Sequence, residues 1–225
     1  DGSLCGAESL IRWMQNGVVH FYPNDFISVF EDNGFITSLD LYVLETVCRH
    51  LNKRMRKGIS DTCRVSINLS SVDLEKAGIT NAILEIVNRY QIERTLLEFE
   101  LTETAYFRNT DAAAKVMERL KEEGFTTSVD DFGSGYSVMN MLINIPASVV
   151  KIDGCFMWDS MKTERGKAFL KKIIDLIHEL GYRVLCEGIE TKEQYQCVKA
   201  MGCDEGQGYY FAKPMPLHDF FQTLA

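Results

Sequence analysis

The chain has 225 residues, and its 24 Lys and Arg against 32 Asp and Glu give a formal net charge of −8. Apolar residues make up 46% and charged residues 25%, which is typical of a folded globular protein and excludes disordered, collagen-like and low-complexity classes. The acidic balance argues against broad nucleic-acid binding, which needs a basic surface. Because the sequence shows neither a bilayer-spanning apolar run nor a signal peptide, we expect a cytoplasmic protein or the cytoplasmic part of a membrane-tethered one.

The seven cysteines include no Cys-x-x-Cys pair, and their number is odd. This pattern disfavours a zinc site or a disulfide framework and favours reduced thiols in the core of a cytosolic protein. A basic stretch from Arg49 to Lys57 ends a predicted helix just before Gly58. There the cations complement the helix dipole, so we interpret the stretch as a solvated helix end rather than a nucleic-acid patch.

Short apolar strands alternate with amphipathic helices along the chain. Strands are predicted at residues 4–11, 64–69, 96–101, 126–130, 148–152, 183–187 and 206–211. Helices are predicted at residues 39–55, 81–90, 110–123, 138–143, 164–180, 192–201 and 217–224. Two of the helices end at Gly124 and Gly181, and a strand follows each at once. Such repeated crossovers predict a parallel sheet covered by helices, with one strand fewer than a (β/α)8 barrel has.

Every predicted strand has an acid, an amide or a lysine at or near its C-terminal end. These residues are Glu8 with Arg12, Asn68, Glu100 with Glu103, Asp130 with Asp131, Lys151 with Asp153, Glu187 with Glu190, and Gln207. In a (β/α)8 barrel these strand ends form one mouth, where the chemistry takes place. Carboxylate and amide oxygens suit Mg²⁺ or Mn²⁺ rather than zinc, and adjacent aspartates could reach two ions.

Spacing along the strands suggests individual roles. Arg12 shares a face with Glu8 if the first strand extends that far, which would place a phosphate-binding guanidinium near a metal ligand. Lys151 shares a face with Asp153 and could hold an attacking water or stabilise charge on phosphorus. Glu187 is the best placed residue to accept a proton from that water.

Several of these residues have a purely structural alternative. Asp153 precedes Gly154 and could form only a turn, and Glu190 could merely begin the next helix. Asn68 could cap the segment that follows it. The glycines of the segment 132–136 could simply make a tight turn into a helix. The repeated placement of carboxylates at one pole is harder to explain structurally, because clustered like charges repel one another unless a cation lies among them.

Seven short motifs follow one another along the chain. They are Gly6-Ala-Glu8-Ser-Leu10-Ile-Arg12-Trp13, Asn68-Leu69-Ser70, Glu98-Phe-Glu100-Leu-Thr-Glu103-Thr104, Asp130-Asp131-Phe-Gly-Ser-Gly-Tyr-Ser137, Lys151-Ile-Asp153, Glu187-Gly-Ile-Glu190, and Gln207-Gly-Tyr-Tyr-Phe211 with Lys213-Pro214. With these motifs the chain resembles the EAL-domain family of cyclic di-GMP phosphodiesterases over essentially its whole length, so we expect residues 1–225 to form one EAL domain. The resemblance implies an α/β fold, a TIM-like (β/α)8 barrel of EAL type whose first strand runs antiparallel to the others.

The resemblance implies hydrolysis of cyclic di-GMP to linear pGpG with two Mg²⁺ or Mn²⁺ ions, and Ca²⁺ is expected to bind without supporting turnover. Lys151 would position the attacking water and Glu187 would act as general base. Arg12 would hold a substrate phosphate, and Gln207 would support the water or the metal shell. The implied metal ligands are Glu8, Asn68, Glu100 and Asp130 for the first ion, and Asp131 with the shared Asp130 for the second, with Asp153 and Glu187 close by.

Two further acids have implied structural roles. Glu103 would anchor the loop at 131–137, which in this family couples dimer contacts to the metal site, and Glu190 would hold the neighbouring loop. The implied partners are cyclic di-GMP, a second copy of the chain in a homodimer, and an attached sensor or GGDEF domain outside this sequence. A DNA or RNA duplex is not expected.

The chain also departs from the family pattern. In the Glu-Ala-Leu motif that gives the family its name, this chain has Ser9 instead of Ala. The His-Pro that usually follows Arg-Trp is absent, and Gln15-Asn16 stand there instead. Ser134, Val138 and Met139 alter the loop motif, but no departure removes a metal ligand. The alternative function is an inactive EAL module that acts as a cyclic di-GMP receptor or protein-interaction domain. Because the start of the chain looks like a hairpin turn, we expect the first, antiparallel strand of the barrel to be missing from this sequence and to be supplied in the native protein or by a partner chain.

Overall fold

A computed structural model describes residues 2–59, 63–133 and 142–223. The chain divides into two compact units. The first comprises Asp1–Leu101 with Ala105–Thr126, and the second comprises Thr102–Thr104 with Thr127–Ala225. The elements up to residue 122 are, in chain order, β1 (Gly6–Glu8), β2 (Trp13–Gln15), β3 (Val18–Phe21), α1 (Pro23–Asp32), α2 (Ile36–Met55), β4 (Arg64–Asn68), α3 (Ser71–Glu75), α4 (Ile79–Tyr90), β5 (Leu97–Thr102), α5 (Glu103–Arg108) and α6 (Thr110–Glu122).

In the first unit, β1, β4 and β5 are parallel neighbours in that order. The long helix α2 buries Leu44, Val47, Cys48 and Leu51, which is the i, i+3, i+4, i+7 spacing of an amphipathic helix. Strand β5 is buried from Leu97 to Leu101, as expected for a strand that is covered on both faces. This core fixes the C-terminal ends of the three strands.

An antiparallel hairpin formed by β2 and β3 follows β1 directly. Its two-residue turn is Asn16-Gly17, with φ of 52° and 79°, the left-handed pair that a tight hairpin requires. The sequence analysis did not predict these strands. It also predicted a first strand at 4–11, whereas β1 ends at Glu8 and Arg12 lies beyond it. Arg12 therefore does not share strand β1 with Glu8, and the condition on which the spacing argument rested is not met.

The elements from residue 126 onward are β6 (Thr126–Phe132), β7 (Val149–Ile152), α7 (Gly154–Met161), α8 (Glu164–Glu179), β8 (Arg183–Cys186), α9 (Lys192–Ala200), β9 (Glu205–Gly206) and α10 (Leu217–Thr223). The four strands are parallel neighbours in chain order. Helix α8 buries Leu170, Ile173, Ile174 and Ile177 on one face. It begins at the Thr163 cap, whose side chain accepts a hydrogen bond from the Gly166 amide.

Seven parallel strands are present in the described residues, as predicted, and most of their bounds agree within three residues. The bounds of the last predicted strand, 206–211, were wrong, because β9 ends at Gly206 and the chain then turns, with the Phe211 amide donating to the Gly208 carbonyl. The predicted helix at 138–143 falls largely outside the described residues. Four helices were missed, namely α1, α3, α5 and α7.

The thiols match the expectation only in part. None of the seven cysteines, all of which lie in the described residues, forms a disulfide; Cys48, Cys63 and Cys186 are buried, but Cys5 and Cys155 are exposed. Burial raises the pKa of the Cys48 thiol to about 12, so this group stays protonated. Over the described ranges, no helix combines the length and the apolar character that a bilayer crossing needs.

Candidate active site

Three polar residues lie at the C-terminal ends of the neighbouring strands of the first unit. Glu8 ends β1, Asn68 ends β4, and Glu100 lies opposite Asn68 in the β4–β5 register. The Asn68 side-chain amide donates to Glu8 Oε1 over 3.1 Å. Glu100 is buried. The structure thus places Asn68 beside Glu8 and opposite Glu100, three of the residues that the sequence analysis assigned to a hard cation, and the contact with Glu8 is made by the Asn68 amide nitrogen.

The alternative role of Asn68 as a helix cap is wrong. The cap of α3 is Ser70, whose hydroxyl accepts from the Asp73 amide while the Asp73 carboxylate accepts from the Ser70 amide. This reciprocal arrangement satisfies the first turn of the helix without Asn68. The Asn68 side chain is therefore available for its contact with Glu8.

A bulge in β6 carries the two adjacent aspartates of the second unit. In the β6–β7 register, Val129 lies opposite Val150 and Phe132 opposite Ile152, so Asp130 and Asp131 together oppose the single residue Lys151. Asp131 has a φ of 59°, in the left-handed region that non-glycine residues rarely adopt. Its amide donates to Asp130 Oδ1 over 2.9 Å. Regular alternation would send the two side chains to opposite faces, and the bulge removes that constraint.

Lys151 forms ion pairs with two members of the carboxylate cluster Asp130, Asp131 and Glu187. Its side chain is 0% exposed, and its Nζ lies 3.1 Å from Asp130 Oδ1 and 2.8 Å from Glu187 Oε1. Glu187 directly follows β8, and its amide donates to the Ile152 carbonyl over 3.0 Å. A lysine that is buried this completely needs such partners, because an uncompensated ammonium in the interior is costly.

The donor set of the second unit fits a divalent metal ion. Asp130, Asp131 and Glu187 each offer a carboxylate oxygen, and these oxygens lie within 4.8 Å of one another. Lys151 offsets only one of the three negative charges, so a further cation would relieve the remaining repulsion. An all-oxygen set is typical of Mg²⁺ or Mn²⁺ sites.

The remaining predicted residues of the second unit follow strands β7, β8 and β9 and have different roles. Asp153 is the N-cap of α7, and its Oδ1 accepts from the Phe156 amide over 2.9 Å. Glu190 has an exposed side chain and precedes Thr191, the cap of α9. The Gln207 backbone bonds to the β8 end through the Cys186 carbonyl and to the following loop through the Ile189 amide. Asp153 therefore caps a helix instead of forming only a turn, and the helix after Glu190 begins at Lys192 with Thr191, not Glu190, as its cap.

Glu103 and Arg12 were predicted to anchor a loop and to bind phosphate. Glu103 is buried, and its Oε2 accepts from the Gly133 amide over 3.3 Å, at the start of the loop motif. Residues 134–137 of that motif lie outside the described residues. The Arg12 guanidinium is partly buried and donates to the Ile11 carbonyl over 2.7 Å.

Sequence reasoning missed the surroundings of Glu187. The Trp158 indole N–H donates to the Gly188 carbonyl over 2.7 Å. Gly154 and Gly188 approach so closely that a Cβ built on Gly154 would lie 3.1 Å from the Gly188 Cα. The sequence held one signal for this contact. Trp158 is one of only two tryptophans and follows the Lys151-Ile-Asp153 motif within one or two helical turns.

The chain belongs to the EAL-domain family, whose model matches residues 1–214. The cyclic di-GMP phosphodiesterase PA2567 of Pseudomonas aeruginosa is 33% identical over 214 residues, which are 95% of this chain and 36% of the relative. The cyclic di-GMP phosphodiesterase NbdA of the same organism is 33% identical over 96% of this chain and 28% of its own length. The chain thus spans about a third of the length of these curated relatives.

A solved structure of the same family supports the fold assignment. The structure of the PaMucR phosphodiesterase in complex with c-di-GMP is 30% identical in sequence to this chain and has a TM-score of 0.88. The match covers 97% of this chain and 88% of the PaMucR chain. The predicted fold class, a TIM-like α/β barrel of EAL type, is confirmed by this match and by the family model.

Proposed function

We propose that this chain hydrolyses cyclic di-GMP to linear pGpG with two divalent cations, Mg²⁺ or Mn²⁺. The observation that carries the proposal is the β6 bulge, which presents Asp130 and Asp131 opposite the buried Lys151, with Glu187 as the third carboxylate. A β-bulge and a left-handed aspartate weaken the sheet, and such features persist at functional sites. The similarity to proteins named cyclic di-GMP phosphodiesterases supports this reaction class.

The metal ligands follow from the donor chemistry and the family resemblance. Asp130, Asp131 and Glu187 supply clustered carboxylate oxygens, and the resemblance adds Glu8, Asn68 and Glu100 as ligands. Asp153 would be a ligand only through an oxygen other than the one that caps α7. When bound, the cations would lower the pKa of water and neutralise charge on the phosphodiester.

Within the second unit, Glu187 and Lys151 are the groups that would act on the attacking water. Glu187 would accept its proton, because its carboxylate lies at the strand end beside the other acids. Lys151 would orient the water and stabilise charge that develops on phosphorus. The buried ion pairs hold both side chains in place before substrate binds, so little reorganisation is needed.

Arg12 and Gln207 would complete the substrate site. The Arg12 guanidinium is only partly buried, and it could form charge-assisted hydrogen bonds with a phosphate. Gln207 would support the water or the metal shell next to Glu187, since its backbone is bonded to the loop that follows β8. Glu190 would hold that same loop.

The loop motif after β6 would link the site to a second copy of the chain. Glu103 fixes the start of this loop through the Gly133 amide, which supports an anchoring role. We propose a homodimer and a cytoplasmic location, and an attached sensor or GGDEF domain, such as the cyclase part of the bifunctional relative MucR, would lie outside this sequence.

The direct test is to incubate the protein with cyclic di-GMP and Mn²⁺ and to follow pGpG by chromatography. Glu187→Gln keeps the size and hydrogen-bonding capacity of the side chain but removes the proton acceptor, so turnover should fall by about 10²–10⁴-fold while nucleotide binding persists. Asp159→Asn, an exposed change on α7, is the matched control. If the folded, dimeric wild type releases no pGpG, the proposed hydrolysis is wrong.

A second candidate function is cyclic di-GMP binding without hydrolysis. The observation that favours it is the β2–β3 hairpin next to Arg12, where the usual His-Pro is absent and Met14 and Val18 are 52% and 68% exposed. Such an altered rim would suit a receptor surface. Steady pGpG release excludes this candidate, whereas a calorimetric binding signal in Ca²⁺ with no product in Mn²⁺ would establish it.

A further inference from the structure

The main chain is held by one hydrogen bond at Glu187 and by another at the next residue, Gly188. The Glu187 amide donates to the Ile152 carbonyl over 3.0 Å. The Gly188 carbonyl accepts from the Trp158 indole N–H over 2.7 Å. The first bond continues the β7–β8 ladder and would form with most side chains. The second depends on the tryptophan, since its donor is a side chain.

The turn at Gly188 is packed directly against the beginning of α7. Gly188 has a φ of 66°, and a Cβ built on it would lie 2.9 Å from the Gly154 Cα and 3.3 Å from the Trp158 ring. A Cβ built on Gly154 would lie 3.5 Å from the Glu187 carbonyl oxygen. Only two glycines permit this approach, and the indole ring covers it. The position of the turn is therefore set by α7.

Helix α7 is itself a rigid support. The Asp153 side chain caps it, and the Met157 amide donates to the Asp153 carbonyl over 2.9 Å. Met157, which precedes Trp158, is completely buried. The indole is thus held on a capped, anchored helix. Its hydrogen bond to the Gly188 carbonyl therefore fixes Gly188 relative to this helix.

We propose that Trp158 is a positioning residue that fixes the Glu187 carboxylate beside Lys151 and the aspartates. The role of Glu187 in this inference rests on the proposed function. A general base acts only within hydrogen-bonding reach of the proton that it accepts, and a shift of about 1 Å can cost about 10²-fold in rate. Groups that orient a metal ligand matter similarly, and their loss costs about 10–100-fold in metal affinity or activity.

Trp158→Phe tests the inference, because it removes the N–H donor and keeps an aromatic ring over Gly188. The matched control is Tyr182→Phe in the same unit, which removes the hydroxyl that donates to the Leu142 and Ile145 carbonyls over 2.8 and 3.1 Å. Both variants lose a side-chain donor to a main-chain carbonyl. Thermal unfolding shows that each is folded and gives the stability loss of each.

Two readouts separate positioning from stability. In Trp158→Phe, Mn²⁺ titrated alone by calorimetry should bind about tenfold more weakly, and kcat for cyclic di-GMP should fall about tenfold with KM changed less than about twofold. In Tyr182→Phe, both quantities should stay at wild-type values. The Mn²⁺ measurement needs no substrate, so it tests Trp158 even if the wild type proves inactive and the proposed function fails.

A double variant shows whether Trp158 acts through Glu187. In the Glu187→Gln background, Trp158→Phe should lower the residual turnover by less than about twofold, because the residue that it positions has lost its function. The inference is overturned if Trp158→Phe matches Tyr182→Phe in both Mn²⁺ affinity and kcat, or if the tenfold loss recurs unchanged in the Glu187→Gln background.

Discussion

A pair of carboxyl groups joins helices α2 and α3 and makes a pH-dependent contribution to stability. Burial and the adjacent Asp73 carboxyl, which shares a hydrogen bond with Asp40, raise the pKa of Asp40 from 3.8 to about 9. Asp73 is buried, and its Oδ2 accepts from the Ser70 amide. Its Oδ1 is buried and accepts no hydrogen bond from a donor group of the described residues, so a proton on the adjacent Asp40 carboxyl can supply the donor that it lacks.

The expected magnitude follows from proton linkage. Between pH 4 and 9, the folded state holds a proton on Asp40 that the unfolded state has released, so the free energy of unfolding falls as pH rises. The slope is at most about 1.4 kcal/mol per pH unit, or about 4 kcal/mol between pH 5 and 8. This is a large part of the about 5–15 kcal/mol that stabilises a typical domain.

Asp40→Asn should remove this slope. The amide of the new side chain is neutral at every pH and can donate to Asp73 Oδ1, so it mimics the protonated acid. Urea denaturation of the wild type and the variant at pH 5, 6, 7 and 8 gives the difference in unfolding free energy. The variant should gain about 3–4 kcal/mol relative to the wild type from pH 5 to pH 8.

Asp32→Asn serves as the control, because Asp32 is an exposed aspartate at the end of the neighbouring helix α1. The same measurements on this variant give the effect of replacing a solvent-exposed aspartate, against which the Asp40→Asn difference is compared at each pH. A flat difference for Asp40→Asn over the same range would show that Asp40 is ionised in the fold, and the reasoning from burial would then be refuted.

Three further predictions concern the candidate site. Lys151→Met should destabilise the metal-free protein by about 3–5 kcal/mol, because the carboxylates that pair with Lys151 are left uncompensated. In thermal unfolding, added Mn²⁺ should recover part of this loss, and a loss that Mn²⁺ leaves unchanged would contradict the prediction. Gly188→Ala should cost about 1–3 kcal/mol and lower turnover, since its φ is left-handed and the new Cβ meets the Gly154 backbone; equal melting temperatures would exclude the strain. Glu103→Ala should speed hydrogen exchange at the Gly133 amide, which loses its acceptor, and unchanged protection would argue against the anchor.

The strands and the acids at their ends could be predicted because both depend on local pattern. The buried strand β7 is a short run of apolar residues that ends in Lys151 and Ile152, and the chain alternates such runs with amphipathic helices. In parallel sheets that pattern places every strand end at the same edge. The positions of Glu187 and of Lys151 therefore followed from the sequence, and the structure brings the two side chains together.

The remaining features depend on contacts that are distant in sequence. The bulge at Asp130–Asp131 shows only in its register with β7, and β1 ends at Glu8 because the chain turns into the β2–β3 hairpin. The short β9 ends at Gly206, where a Cβ would lie 2.7 Å from the Ile189 side chain. Trp158 has no periodic signature, because its importance comes from a hydrogen bond that spans 30 residues.

The bulge also has a consequence for how this sheet can change. Deleting one residue between Val129 and Phe132 would restore a continuous β6–β7 ladder and relieve the left-handed aspartate, but it would leave one acid where there are now two. Stability and the number of carboxylates are therefore opposed at this single position in the backbone. Variants selected only for heat resistance should accumulate changes elsewhere in the sheet, or lose the second carboxylate and with it part of the proposed metal site.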